Sequence, residues 1–223
     1  MGSSDASPDL RTRVLDAADR LLARYGYRKM TVDDIAAEAG IGKGTVYLAF
    51  ASKEDVALSC IDRMVDGVLA ELRRIAAGHG PRLERLRAML VRRVMGRVDY
   101  ARTHATSMDA MLAAVRPAFL LRRERHFAAE ARVLAALLAT ARRTGEARAL
   151  DPRPAAAALI TATNALLPYS LSVGELGRRA EIERRARAVA GLLVQGIAAS
   201  PPSRKSTAFH RSASHRTLSR RIP

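Results

Sequence analysis

Apolar residues recur along this chain at intervals of three and four, and glycines and prolines cut the recurrence into segments. Val14, Ala18, Leu21, Leu22 and Tyr25 predict a first helix over about 9–25, closed by Gly26. Val32, Ile35, Ala36 and Ala39 line one side of a second. It opens at Thr31, where Asp34 three residues on completes a capping box, and it stops at Gly40. Gly40-Ile41-Gly42 reads as a tight turn, and Lys43 to Phe50 as a short third helix with Val46 and Phe50 inward. Ser52 and Asp55 repeat the capping spacing and start a long fourth helix through Val56, Ile61, Met64, Val65, Val68, Leu72 and Ile75, ended by Gly78-His79-Gly80-Pro81.

The same period continues to residue 199. Pro81 opens a fifth helix with Leu83, Leu86, Leu90 and Val94, and a sixth is expected over about 100–114. Pro117 opens a seventh, through Leu120, Phe127, Leu134, Leu137 and Leu138 to Gly145. Asp151-Pro152 caps and starts an eighth through Leu159, Ile160 and Leu166, kinked or shortened at Pro168. Ile182, Ala186, Val189, Leu193 and Ile197 stripe the last. No stretch alternates as a strand does and no segment repeats, so the fold class is all-α with about nine helices. The organisation expected is a disordered N-terminus over 1–8, a helix-turn-helix domain over 9–55, a larger helical domain over 56–199, and a basic, disordered tail over 200–223, where apolar periodicity ends.

Two short helices joined by a glycine turn make a helix-turn-helix, whose second helix enters the DNA major groove. Thr31-Val32 leading into Ile35-Ala36, then Ala39-Gly40-Ile41, Gly44-Thr45-Val46-Tyr47, Phe50 and Ser52-Lys53-Glu54 resemble the DNA-binding domain of TetR-family repressors, strongly over about residues 10–60. The resemblance implies a homodimeric regulator whose second domain binds an effector and releases double-stranded DNA at a palindromic operator. DNA contacts are expected from Lys43, Gly44, Thr45 and Tyr47, with Lys53 and the Thr31 helix start on phosphates. Tyr47 has a core-aromatic alternative, and Arg11 and Arg13 read equally well as phosphate contacts or solvated surface. The resemblance also implies that the last two helices pair in the dimer, which places Leu159, Leu166, Ala186, Val189, Leu193 and Ile197 at the interface.

Charge qualifies the DNA reading. The net charge is +16, but residues 9–56 hold eight Lys/Arg and eight Asp/Glu, whereas 57–199 hold 24 against 13 and the tail adds six basic residues with no acidic one. A rival function therefore stands: a ligand-blind, sequence-tolerant architectural protein whose basic half and tail coat DNA. Thirty-four of the 38 basic residues are arginine, a composition that follows from a GC-rich coding bias. No run of 18 apolar residues and no signal peptide are present, which points to a cytoplasmic protein with no membrane partner. Cys60 is the single cysteine and is read as a buried, inert thiol; it excludes an intrachain disulfide and cysteine-based zinc sites.

No catalytic constellation emerges, and no cofactor is implied. Gly40, Gly42, Lys43 and Thr45 fail as a phosphate loop because the spacing is wrong and a helix precedes them. His126 and Glu130 share a helical face but lack a third ligand, so a helix pair is preferred to a metal site. Methionines at helical spacing are ordinarily core filling. Met64, Met89, Met108 and Met111, with Val68, Tyr100, His104, Phe119, Phe127 and Asn164, also suit a deformable apolar pocket for a small lipophilic effector, and the resemblance implies such a pocket. Tyr169 belongs with this set, and Arg102 and Arg116 are candidate partners for an anionic group on the effector.

Overall fold

The computed structural model describes residues 8–105, 107–167 and 177–199. Among them lie eight helices: α1 (Pro8–Tyr25), α2 (Val32–Ala39), α3 (Lys43–Ala49), α4 (Lys53–Ala77), α5 (Arg82–Thr103), α6 (Met108–Arg143), α7 (Pro152–Asn164) and α8 (Arg179–Ile197). The expected terminal segments, Pro168 and Tyr169 fall outside the described residues.

The capping signals act where their spacing placed them. Thr31 Oγ1 accepts the Asp34 N–H at 3.1 Å and Asp34 Oδ2 accepts the Thr31 N–H at 2.9 Å. Gly40 closes α2 at φ 65°, a conformation that other residues adopt only with strain. Ser52 Oγ accepts the Asp55 N–H at the head of α4, and Asp151 caps α7 ahead of Pro152.

One expectation needs revision. The anticipated sixth and seventh helices are a single α6 with Pro117 inside it, and Tyr100 belongs to the last turn of α5. The chain breaks instead at 104–107, where the His104 carbonyl accepts the Ser107 and Met108 N–H groups at 2.9 Å. A proline at a first helical position and a proline tolerated further in leave the same mark in a sequence, since both fix φ and remove one N–H. Here Met111, Val115 and Phe119 are buried on both sides of Pro117. Their burial, about 1.5–3 kcal/mol per large side chain, outweighs the roughly 3 kcal/mol that an interior proline removes.

In the N-terminal head, Val14, Ala18, Leu21 and Leu22 of α1 pack on Met30, Ile35, Val46 and Phe50. α4 leaves this core after Val56, Ala57 and Cys60 and runs on between α5 and α6. The approach to α5 is close: a Cβ on Gly96 would meet Val68 Cγ2 at 2.5 Å. α5 also supports α8, and α6 supports α7.

Candidate nucleic-acid interface and effector cleft

The outer side of α3 is open. Lys43 and Gly44 are exposed, Thr45 is half-buried, and Tyr47 is 49% exposed and therefore not a core aromatic. Gly42 at the N-cap makes no side-chain cap bond, so the first N–H groups of α3 remain available to an anion. Lys43 Nζ lies 2.9 Å from Asp33 Oδ2, and that bond raises the lysine pKa. A phosphate must therefore compete with Asp33 for it. Thr31 is exposed, with its hydroxyl committed to Asp34, whose carboxyl is held below its usual range by the two bonds to Thr31. Lys53, at the start of α4, sits with Nζ 4.4 Å from the centre of the Tyr27 ring. Tyr27 donates its hydroxyl to Glu54 Oε1 at 2.9 Å, and its own pKa is pushed up to about 12 by burial and then by Glu54.

Arg11 and Arg13 are exposed, and both also bond within the head. Arg11 Nη1 donates to the Ala49 carbonyl at 2.5 Å with its guanidinium 4.2 Å from the Phe50 ring centre, and Arg13 Nη2 donates to the Ala39 carbonyl at 2.9 Å. Each occupies the carbonyl end of a motif helix, where a cation also complements the helix dipole. They fix α2 and α3 against α1.

Between α4, α5 and α6 a narrow cleft, with about 30 Å³ of room for a water-sized body, is lined by Ile61, Met64 and Val65, by Arg97, Tyr100 and Ala101, and by Met108, Leu112, Phe119, Arg123, His126 and Phe127. Five of the expected pocket residues meet here: Met64, Tyr100, Met108, Phe119 and Phe127. Val68, Met89 and Met111 do not line it and fill the core. Asn164 instead accepts from Arg93 Nη2 at 3.1 Å. His104 is buried behind the wall, its ring centre 4.1 Å from that of Tyr100. Arg102 and Arg116 are exposed and stand outside the lining. His126 and Glu130 each turn to other helices: His126 Nε2 lies 3.1 Å from Asp62 Oδ1 on α4, and Glu130 receives Arg93 and Arg97 of α5. Among the described residues no group of three His, Cys, Asp or Glu is placed to hold a metal ion.

The cleft is wired to the head. The Tyr100 hydroxyl donates to Asp19 Oδ1 of α1 at 3.1 Å. Arg63 of α4 also donates to Asp19 and, at 2.5 Å, to Asp16. Arg122 of α6 reaches Asp62 at 2.5 Å and Asp55, in the first turn of α4, at 3.3 Å. Burial pushes the Asp62 carboxyl up, but His126 and Arg122 outweigh it and hold it below its usual range. Cys60 is fully buried beside this junction, and burial raises its thiol pKa, which makes it inert as expected.

The family model for bacterial regulatory proteins of the tetR family matches residues 14–60, from α1 into α4. The crystal structure of a transcriptional regulator of the TetR/AcrR family from Thermobifida fusca is 30% identical, covering 84% of this chain and 98% of that one, with a TM-score of 0.60. This chain belongs to the TetR family. The fatty acid metabolism regulator protein of Bacillus subtilis is 43% identical over 47 residues, 21% of this chain and 24% of that protein. The match to an uncharacterised HTH-type transcriptional regulator of Haemophilus influenzae, 31% identical, covers 38% of this chain and 45% of that protein, so the chain spans less than half of these curated relatives. The transcriptional regulator FadR of Bacillus subtilis, solved in complex with stearoyl-CoA, shares the fold at 20% identity, with 83% of this chain and 98% of that one covered and a TM-score of 0.61.

As a TetR-family transcriptional regulator, the chain carries its helix-turn-helix on α2 and α3 and a helical domain behind it. The residues expected at a dimer interface divide into two groups. Leu159, Ala186 and Ile197 are buried inside this chain, whereas Leu166, Val189 and Leu193 are half-buried. The stripe of α8 mainly faces α5 of its own chain. Outward on α7 and α8 stand Ala157, Ala158, Thr161, Ala162, Ala188 and Leu192, the last 71% exposed. Sequence reasoning missed Tyr27, Arg93, Arg97 and the Asp19 junction. Only the single aromatic at Tyr27, just after the helix-closing Gly26, offered a local signal.

Proposed function

We propose that this chain is a homodimeric, ligand-responsive repressor that reads a palindromic operator through α3 and is released when a small, largely apolar molecule enters the cleft. The observation that carries the reading is the Tyr100–Asp19 hydrogen bond, because one of its partners lines the cleft and the other belongs to the head. Lys43, Thr45 and Tyr47 meet bases and sugars, and Lys53 with the Thr31 start of α2 meets phosphate. A guest that displaces Tyr100 or His126 changes what Asp19 and Asp62 bond, and α1 and α4 shift with them. Occupancy of DNA falls only if the guest binds the DNA-incompetent dimer more tightly, and about 1–3 kcal/mol of coupling suffices. The outward faces of α7 and α8, small residues around Leu192, suit close approach of a second copy in the cytoplasm.

The test is operator binding by fluorescence anisotropy, on DNA fragments selected by the purified protein, with and without a panel of lipophiles. Tyr100→Phe keeps the ring and removes the hydroxyl; it should retain DNA binding and blunt the response severalfold. Full response in this variant would break the coupling route. Lys53→Ala should weaken all sequences alike and lower the salt slope by about one unit. Leu192→Arg should give monomers by sedimentation and a large loss of operator affinity. The net charge of +16 favours one rival, the ligand-blind architectural protein, and a footprint that protects DNA uniformly rather than over a short palindrome would establish it.

A further inference from the structure

Two guanidiniums share one carboxylate beside the cleft. Arg93, Arg97 and Glu130 are 0%, 3% and 0% exposed. Glu130 accepts from Arg93 Nε on Oε2 at 3.1 Å and from Arg97 Nη2 on Oε1 at 2.7 Å. Arg97 Nη1 donates to the Arg93 carbonyl, a neutral dipole, and Arg93 donates as well to Thr163 Oγ1, Asn164 Oδ1 and the Ile160 carbonyl. Arginine does not lose its proton in a folded protein. Arg97 therefore shares its carboxylate with a second guanidinium in a nearly dry place, where an incompletely matched charge is strongly unfavourable.

Arg97 also lines the cleft, and the rest of the wall points the same way. Its other ionisable residues among those described are Arg123 and His126, with the Tyr100 hydroxyl, and no carboxylate stands among the described lining residues. The carboxylates just behind are engaged elsewhere, Asp62 by Arg122 and His126 and Asp19 by Arg63 and Tyr100. The basic groups gather at one end: the guanidiniums of Arg93 and Arg123 lie 5.5 and 5.8 Å from the Phe127 ring centre. The remainder of the wall, from Ile61 and Met64 to Met108, Leu112 and Phe119, is apolar.

We infer that the molecule taken by this cleft is an apolar body ending in a single carboxylate, which docks on Arg97 at the Phe127 end. The inference rests on the reading of the cleft as the effector site and adds the chemistry of the ligand's head. A carboxylate there completes the counter-charge of Arg97 with short, charge-assisted bonds, while the flexible side chains of Met64 and Met108 move aside to widen the narrow cleft for the chain or ring system. A neutral lipophile gains only the second part.

The full-length protein is titrated by calorimetry with decanoate, decan-1-ol and decylamine, all below micelle-forming concentration. Decanoate should bind at least tenfold more tightly than the alcohol, and the amine weakest. Arg97→Gln should bring decanoate down to the level of the alcohol and leave the alcohol unchanged. Arg97→Lys, which keeps the charge beside Glu130, should fold even if the glutamine variant does not, and should retain a reduced preference for decanoate. Equal affinity for decanoate and decanol, or a decanoate preference that Arg97→Gln or Arg97→Lys leaves untouched, overturns the anionic head alone. If none of the three molecules binds, the effector-cleft reading fails and this inference fails with it.

Discussion

In the head, Arg11, Arg13 and Arg20 work at the rim: two satisfy carbonyls where helices end, and Arg20 meets Glu38 on the surface at 2.6 Å. The core beneath them is apolar, from Val14 to Phe50. In the larger domain the arginines go inside, where Arg93 and Arg97 with Glu130 occupy positions that a leucine would ordinarily take. A head that must present one fixed surface to DNA gains from a dry core and charges that pin helix ends. On the proposed reading, a domain that admits a guest keeps charge where the guest arrives, at the expense of stability. The same residue type would then serve rigidity in one region and responsiveness in the other.

Four experiments break or sharpen this contrast. Glu130→Leu removes the shared carboxylate and leaves two buried cations, so urea denaturation should show a loss of about 3–5 kcal/mol; a loss under about 1 kcal/mol would mean that the cluster is not a dry one. Tyr27, with its folded pKa raised to about 12 against about 10 unfolded, contributes stability that is complete below about pH 10 and lost as pH rises through about 12. Melting curves between about pH 9 and 12 should show a drop on the order of 2–3 kcal/mol for that group, and Tyr27→Phe should lack it. Thr31→Ala opens the capping box and should cost about 1 kcal/mol in the same urea assay, with the circular dichroism of the folded state retained. Glu38→Gln breaks the exposed Arg20 pair and should change stability by less than about 1 kcal/mol. If it proved as damaging as Glu130→Leu, the distinction between rim and interior charge would be lost.

The head was legible because its signals are local. Thr31 and Asp34 are one turn apart, Gly40 marks a left-handed turn by its own lack of a side chain, and both statements hold whatever the rest of the chain does. The cleft was half legible. Apolar spacing marked Met64, Met108 and Phe119 as inward, yet it marked Met89 and Met111 equally, since periodicity tells which side of a helix is covered and not by what. The same limit explains α8, whose stripe is covered by its own chain at Ala186 and Ile197. Arg93 and Glu130 are 37 positions apart, and no pattern within either helix announces that they meet. Pro117 misled because a proline's constraint on its own residue is the same at a helix start and inside a helix.

The close contact at Gly96 bears on how far a small guest can reach. With α5 pressed on Val68, α4 has a close contact that, on the proposed reading, serves as the fulcrum of a lever. At about 1.5 Å per residue, Met64 and Ile61 stand roughly 6 and 10 Å from that fulcrum and Lys53 roughly 22 Å. A push of one ångström on the cleft wall would then become roughly two to four ångströms at Lys53.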